Sequence, residues 1–141
     1  MILQKGGLEY LYKLRTRSME EVQDELCQFT GVGRKVADCV ALFSLDKMNA
    51  IPVDVHVQQM AIRDYHFSTT EKSLTPTVYK KVGDLFRQLF PNYAGWAHSL
   101  LFVAELPSFR TALPVEKKLH PGLNKLFLSS RPSIIEKFVQ V

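Results

Sequence analysis

The sequence has few of the residues that build a disulfide framework, a metal cluster or a membrane anchor. Its two cysteines, Cys27 and Cys39, have no companion cysteines or histidines at the spacing of a zinc or iron–sulfur site. No stretch approaches the roughly 18 apolar residues that a membrane-spanning helix requires, and no long apolar segment follows Met1 as in a signal peptide. We therefore expect an intracellular, soluble protein with free thiols, no cofactor, no side-chain metal site and no membrane attachment.

The length and net charge of the chain narrow the class of protein further. A chain of 141 residues with 46% hydrophobic residues can bury one core of its own, so one globular unit is expected. The net charge of +4 favours an acidic partner such as nucleic acid. Many basic proteins have no such partner, so this indication is weak by itself.

Apolar residues recur at helical spacing almost throughout, and strand-like alternation is scarce, which predicts an all-α fold. The third predicted helix has Val36, Val40, Leu42 and Phe43 as its apolar positions. Caps mark several starts, including a Ser18/Glu21 capping box, Asp54, and Thr75 followed by Pro76. The predicted helices cover Leu8 to Arg15, 18–27, Arg34 to about Leu45, 54–62, 75–90 and 93–106.

The composition changes after residue 106. Four prolines lie between residues 107 and 132, a pattern that interrupts helices. We therefore divide the chain into residues 1–106, which form the helical unit, and residues 107–141, a loosely ordered tail. Ser133 and Glu136 could cap one short helix within that tail.

The stretch "GVGRKVADC", residues 31–39, places a Gly-x-Gly turn directly before a helix. The backbone N–H groups at a helix N-terminus, together with the helix dipole, bind a phosphate without any basic side chain. The alternative is a glycine-ended helix followed by an ordinary tight turn, and the spacing alone leaves both open.

Lys35 and Asp54 each have two interpretations, one as a residue with a chemical role and one as an ordinary structural residue. The helix dipole opposes a cation in the first turn by roughly 0.3–1 kcal/mol, and Arg34 adds repulsion, so both favour the neutral amine that a nucleophile requires. The alternative is a solvated surface lysine. Asp54 fits a simple helix N-cap, but a carboxylate held by N–H groups stays ionised and can stabilise a developing positive charge.

Four blocks in order, "GVGRKVADC", "IPVDVHV", "IRDY" and "YAGWAHSLLFVAEL", resemble the eukaryotic 8-oxoguanine DNA glycosylase/lyases of the helix-hairpin-helix superfamily. The resemblance covers the C-terminal part of that family, from about Ile2 to Glu105. It implies a helix-hairpin-helix glycosylase domain truncated at its N-terminus. The implied activity is base excision of oxidised purine, with cleavage of the abasic site through a lysine Schiff base.

The resemblance also implies site residues. Lys35 would attack the sugar, and Asp54 would orient the amine and steady the cationic sugar. Further residues would contact DNA phosphate (Gly31, Gly33, Val36 and His56), line the pocket for the extruded base (Cys39, His98 and Phe102), or offer carbonyls to a structural cation (Cys27, Phe29 and Val32). The implied partner is duplex DNA containing an oxidised purine or an abasic site, bound by a monomer in the nucleus or the mitochondrion.

The sequence departs from the family pattern at two site positions. Phe29 and Thr30 replace the Leu-Pro that precedes the glycines, and His98 replaces the glutamine that contacts the base. A neutral imidazole has its donor and acceptor on separate ring nitrogens, whereas an amide presents both at one end, so lesion specificity is open. The alternative function is a non-catalytic helix-hairpin-helix DNA-binding module, or an inactive fragment.

Overall fold

The computed structural model describes residues 2–105, and this part of the chain contains helices and no strands. A short 3-10 turn at Leu3–Lys5, absent from the sequence prediction, precedes six α-helices. The predicted all-α class is confirmed. The helices are α1 (Gly7–Leu14), α2 (Met19–Cys27), α3 (Arg34–Ser44), α4 (Val55–Tyr65), α5 (Pro76–Leu89) and α6 (Ala94–Glu105).

Side-chain caps fix three of the helix starts where the sequence placed them. Ser18 accepts the Glu21 N–H at 3.2 Å, while the Glu21 carboxylate accepts the Ser18 N–H at 2.9 Å. The Thr75 hydroxyl accepts the N–H of Val78, and Asp54 caps α4. The capping predictions are therefore confirmed, and α1 lies one residue earlier than predicted.

Two buried clusters form the interior. The α1–α3 core consists of Leu14, Val22, Leu26, Ala37, Ala41, Leu42, Leu45 and Ala50. The α4–α6 core consists of Ile51, Val53, Val57, Met60, Ala61, Val78, Val82, Phe86 and Ala94. The segment joining α3 to α4 passes from one core to the other between Ala50 and Ile51.

The predicted apolar face of α3 is wrong at two positions. Val36 is 45% exposed and Phe43 is 58% exposed. The buried face instead comprises Ala37, Asp38, Ala41 and Leu42. Small alanines let the neighbouring helix approach, and a buried carboxylate has partners that hydrophobic periodicity does not reveal.

Close backbone packing brings α6 onto the segment between α3 and α4. The Gly95 N–H donates to the Met48 carbonyl at 2.8 Å. A Cβ on Gly95 would lie 2.5 Å from the Ala50 carbonyl oxygen and from a Leu42 methyl carbon, so only glycine fits there. This contact sets the position of His98, one turn further along α6.

Several apolar side chains of the first elements face solvent. Leu3, Leu8 and Tyr12 are 88%, 64% and 54% exposed. No helix within residues 2–105 combines the length and apolar character needed to cross a membrane. The predicted tail at 107–141, with its helix at Ser133 and Glu136, lies outside the described residues.

Candidate active site

The N-termini of α3 and α4 bring Lys35 and Asp54 together. The Lys35 Nζ lies 2.8 Å from Asp54 Oδ2, within both hydrogen-bond and ion-pair distance. The lysine side chain is 51% exposed and the aspartate side chain 15% exposed. The pair is thus open to an incoming substrate on the lysine side and held by the protein on the aspartate side.

Asp54 uses its second carboxylate oxygen as the cap of α4. Oδ1 accepts the N–H groups of His56 at 2.9 Å and Val57 at 3.0 Å. Burial alone would raise the pKa of the Asp54 carboxyl, but the hydrogen bonds from Lys35 and Val57 outweigh burial and hold that pKa below its usual value. The carboxylate therefore stays ionised and serves as both cap and counter-charge, so neither role excludes the other.

The ion pair gives Lys35 a partner that its position in the helix alone did not indicate. The Asp54 carboxylate oxygen, 2.8 Å from the Lys35 amine, fixes the position of that amine near the start of α3. Lys35 must lose a proton before its nitrogen can act as a nucleophile. Its exposed side chain allows exchange of that proton with solvent.

The loop between α2 and α3 leaves the backbone at the start of α3 exposed and without a side-chain cap. Gly31 has φ +82°, a left-handed conformation that favours glycine, and nothing lies within 4 Å of an added Cβ at Gly31 or Gly33. No side chain caps α3 at Gly33, unlike the starts of α2, α4 and α5. The first N–H groups of α3 are therefore placed to bind an anion.

The remaining predicted loop contacts stay predictions. Val36 and His56 are exposed near the starts of their helices, as phosphate contacts require. The Phe29 carbonyl accepts the Val32 N–H at 3.0 Å, which closes the turn and leaves one lone pair of that oxygen for a cation. Within residues 2–105, no group of histidine, cysteine and carboxylate side chains is arranged to hold a metal ion.

His98 is buried among aromatic rings on α6. Its side chain is 5% exposed, stacks on Phe102 with ring centroids 6.2 Å apart, and meets the ring of Phe86 edge-on at 6.0 Å. Neither ring nitrogen has a hydrogen-bond partner among the described residues. The nearby Gly95 carbonyl nevertheless raises the pKa of the imidazole, because it attracts the charged form of the ring. Burial lowers the pKa of His98 to about 4, against the opposing charge of Asp54, so the imidazole is neutral near pH 7.

Cys39 on α3 and Phe102 on α6 are the other two residues of the predicted base pocket, and their role in binding a base stays a prediction. Burial raises the pKa of the Cys39 thiol, and the nearby charge of Lys35 lowers it. The electrostatic influence of Lys35 and Asp54 on both Cys39 and His98 places all four in one neighbourhood. Phe102 also packs against the α4–α6 core, so its packing role accompanies any base contact.

A buried polar network was missing from the sequence prediction. Asp38, 2% exposed, accepts a hydrogen bond from Gln23 at 2.6 Å and another from the Tyr79 hydroxyl. The sequence pattern placed the apolar face of α3 elsewhere and so gave no signal for Asp38, which the structure places in the buried register with Ala37 and Ala41. A charged residue in that register requires partners.

Comparison with known proteins identifies relatives of this chain. No protein-family profile matches it. N-glycosylase/DNA lyase OGG1 of Arabidopsis thaliana is 46% identical over 121 residues, which span 86% of this chain and 32% of that relative. The N-glycosylase/DNA lyase of Saccharomyces cerevisiae is 38% identical over 62% of this chain and 27% of its own length. A putative DNA glycosylase of Arabidopsis thaliana is 50% identical over 54 residues, 38% of this chain and 17% of that relative.

The chain thus spans about a third or less of the length of each of these three relatives. The similarity covers most of the chain, and the all-helical structure agrees with a helical DNA glycosylase domain. The resemblance inferred from the four sequence blocks is confirmed. The chain is related to part of the eukaryotic N-glycosylase/DNA lyases.

Proposed function

We propose that this chain carries the reacting centre of a base-excision DNA N-glycosylase with abasic-site lyase activity. The observation that supports the proposal most directly is the contact of 2.8 Å between Lys35 Nζ and Asp54 Oδ2. Phosphate binding alone requires neither an exposed lysine nor a carboxylate beside it. The proposed substrate is duplex DNA that contains 8-oxoguanine or an abasic site.

The chemistry assigned to Lys35 is a displacement at the sugar. The Nζ lone pair forms a bond to C1′, and the N-glycosidic bond breaks with its electron pair leaving on the base, which takes up a proton. Opening of the sugar ring then gives a Schiff base between Nζ and C1′. Loss of a proton from C2′ lets the C3′–O bond break, so the 3′ phosphate departs by β-elimination.

The role assigned to Asp54 is electrostatic. Its lowered pKa makes it a poor proton carrier, but its fixed negative charge stabilises the positive charge that develops on the sugar. The N–H groups of α4 keep Oδ1 in place, so the charge needs no reorganisation during the reaction. The same carboxylate orients the lysine amine through Oδ2.

The DNA contacts assigned to the other residues follow from the surroundings of this pair. The uncapped start of α3 at Gly31, Gly33 and Val36 would hold a phosphate, with His56 as a second contact. Cys39, His98 and Phe102 would line the pocket for the extruded base. We also propose a monomer that acts in the nucleus, with the mitochondrion as the alternative compartment.

An abasic site is the substrate that this chain should cleave most readily by itself. Extruding a base costs a few kcal/mol, and the cost is least when no base remains to be unstacked. We therefore expect cleavage of abasic DNA to exceed release of 8-oxoguanine by the 141-residue chain.

The proposal can be tested by borohydride reduction of the Schiff base on an abasic duplex. The unmodified chain and Lys80→Gln should give a covalent protein–DNA adduct, and Lys35→Gln should give none. Lys80 is a matched control, because it is an exposed lysine that also pairs with an aspartate, Asp84, at 2.9 Å. Binding of the duplex without any adduct from the unmodified chain would instead support the non-catalytic DNA-binding module.

A further inference from the structure

The hydroxyl of Tyr79 on α5 contacts two separate segments of the chain. It hydrogen-bonds Asp38 Oδ2 on α3, and it lies 3.2 Å from the carbonyl oxygen of Ile51 in the segment between α3 and α4. Gln23 on α2 holds the other Asp38 oxygen at 2.6 Å. This group, Gln23, Asp38, Tyr79 and Ile51, is called the Tyr79 network below.

The two segments are the ones that carry the reacting pair. Asp38 follows Lys35 by three residues, almost one turn along α3. Ile51 precedes Asp54 by three residues in the segment that leads to α4. One hydroxyl group therefore links the part of α3 that carries Lys35 to the segment that leads to Asp54.

The Tyr79 network also crosses the boundary between the two cores. Asp38 lies among the buried residues of α3 that build the α1–α3 core, whereas Tyr79 packs against the α4–α6 core and Ile51 is part of it. Lys35 and Asp54 span the same boundary near the surface. Any slip between the two cores would therefore change the separation of the reacting pair.

The Tyr79 hydroxyl donates toward both Asp38 Oδ2 and the Ile51 carbonyl oxygen, so its one proton is shared between two acceptors. Gln23 donates to the other Asp38 oxygen, so both carboxylate oxygens of Asp38 have a partner. Burial raises the pKa of Asp38, against the hydrogen bonds from Tyr79 and Gln23.

We propose that Tyr79 is a positioning residue for the reaction, whose hydroxyl sets the distance between Lys35 and Asp54 by linking Asp38 to Ile51. Tyr79 itself is remote from the substrate and acts through the two segments that it joins. The inference rests on the proposed lyase function for its kinetic consequence. Its geometric consequence, the fixed Lys35–Asp54 contact, can be measured without any activity.

The geometric test is an NMR titration of the Asp54 carboxyl carbon. In Tyr79→Phe the Lys35 contact should loosen, so the pKa of Asp54 should rise toward the usual aspartate value of about 3.9. Tyr65→Phe is the matched control and should leave the titration unchanged. Tyr65 is a part-buried tyrosine on α4, and its hydroxyl makes no hydrogen bond within residues 2–105.

The kinetic test compares the rate of borohydride trapping with the affinity for an abasic duplex. Misplacing reacting groups lowers the rate of reaction, so Tyr79→Phe should trap about tenfold more slowly. Its dissociation constant should stay within about twofold of the value for the unmodified chain, because the start of α3 remains intact. A loss of folding would instead weaken binding and trapping together.

Two substitutions of Asp38 complete the test. Asp38→Asn keeps hydrogen-bonding groups at this position, because its amide can donate to Tyr79 and its carbonyl can accept from Gln23, so this variant should retain the link to Tyr79. Asp38→Ala breaks the link to Tyr79 from the other side, suits a helix, and should reproduce the effect of Tyr79→Phe. It therefore decides the question even if Tyr79→Phe does not fold.

The outcomes separate this inference from the proposed function. An unmodified chain that traps no DNA would overturn the proposed function, while the Asp54 titration would still decide the link. An Asp54 titration that is the same in the unmodified chain, Tyr79→Phe and Asp38→Ala would overturn the positioning role. An equal change in the Tyr65→Phe control would overturn it as well, because the effect would not depend on the network.

Discussion

Lys35 and Asp54 are 19 residues apart in sequence, and their side chains meet at 2.8 Å because each lies at the start of a helix. Asp54 gives one oxygen to the lysine and the other to the backbone of α4. A residue that has the role of an ordinary helix cap is thereby also the counter-charge of the proposed nucleophile. The two duties can be separated by substitution.

Asp54→Asn should preserve the fold and lower activity. Asparagine caps a helix nearly as well as aspartate, so the free energy of unfolding should fall by no more than about 1 kcal/mol. The neutral amide cannot stabilise a cationic sugar, and each loss of about 1.36 kcal/mol in transition-state stabilisation lowers the rate tenfold. Urea denaturation and single-turnover cleavage of abasic DNA would measure the two effects.

Asp46→Asn provides the control for that substitution. Asp46 is exposed, pairs with Arg15 at 3.3 Å, and has φ +59°, a conformation that asparagine accepts readily. It should therefore change neither stability nor rate by a measurable amount. An Asp54→Asn protein with the full rate would show that Asp54 is a cap only.

Gly31→Ala and Gly33→Ala should differ in stability although both sites are open. Alanine at Gly31 would have to adopt φ +82°, which costs a residue with a side chain roughly 1–2 kcal/mol. Gly33 has φ −93°, which any residue adopts, so its substitution should cost under about 1 kcal/mol. The free energies of unfolding from urea titrations would compare the two, and equal costs would contradict the assigned backbone conformations.

The buried His98 should make stability depend on pH. Its pKa is about 4 in the folded chain, against roughly 6.5 when unfolded. Between these values the unfolded chain binds more protons, so the free energy of unfolding should fall as the pH drops from about 6.5 towards about 4. The slope should reach at most about 1.4 kcal/mol per pH unit.

His98→Phe should remove this slope while keeping the aromatic contacts with Phe86 and Phe102. His56→Gln is the matched control, because His56 is exposed to solvent in the folded chain. It should leave the slope unchanged. Urea denaturation at several pH values would measure each variant, and a slope that persists in His98→Phe would assign the effect to another group.

Local sequence signals predicted the elements of this fold well because each has a local physical cause. Ser18 with Glu21, Asp54, and Thr75 with Pro76 mark helix starts through contacts that span two or three residues. Gly31 marks the loop through its left-handed backbone. These signals depend on neighbours in sequence, so they survive without knowledge of the tertiary structure.

Contacts between residues that are far apart in the sequence could not be predicted from local patterns in the same way. Local patterns suggested roles for Lys35 and Asp54 separately, and only the family resemblance implied that Asp54 orients the amine, because their direct contact depends on how α3 meets α4. Asp38 and Tyr79 are 41 residues apart, and nothing in either local pattern indicates the hydrogen bond between them. The exposed position of Phe43 follows from the same cause, since burial depends on which helix covers which face.

The most direct test of the central claim is to locate the covalent adduct. The chain would be trapped on an abasic duplex with borohydride, digested with a protease, and the peptide that carries the sugar residue sequenced by mass spectrometry. The adduct should lie on Lys35 at the start of α3. An adduct on another lysine or on the terminal amine, with Lys35 unmodified, would contradict the assignment of Lys35 as the nucleophile.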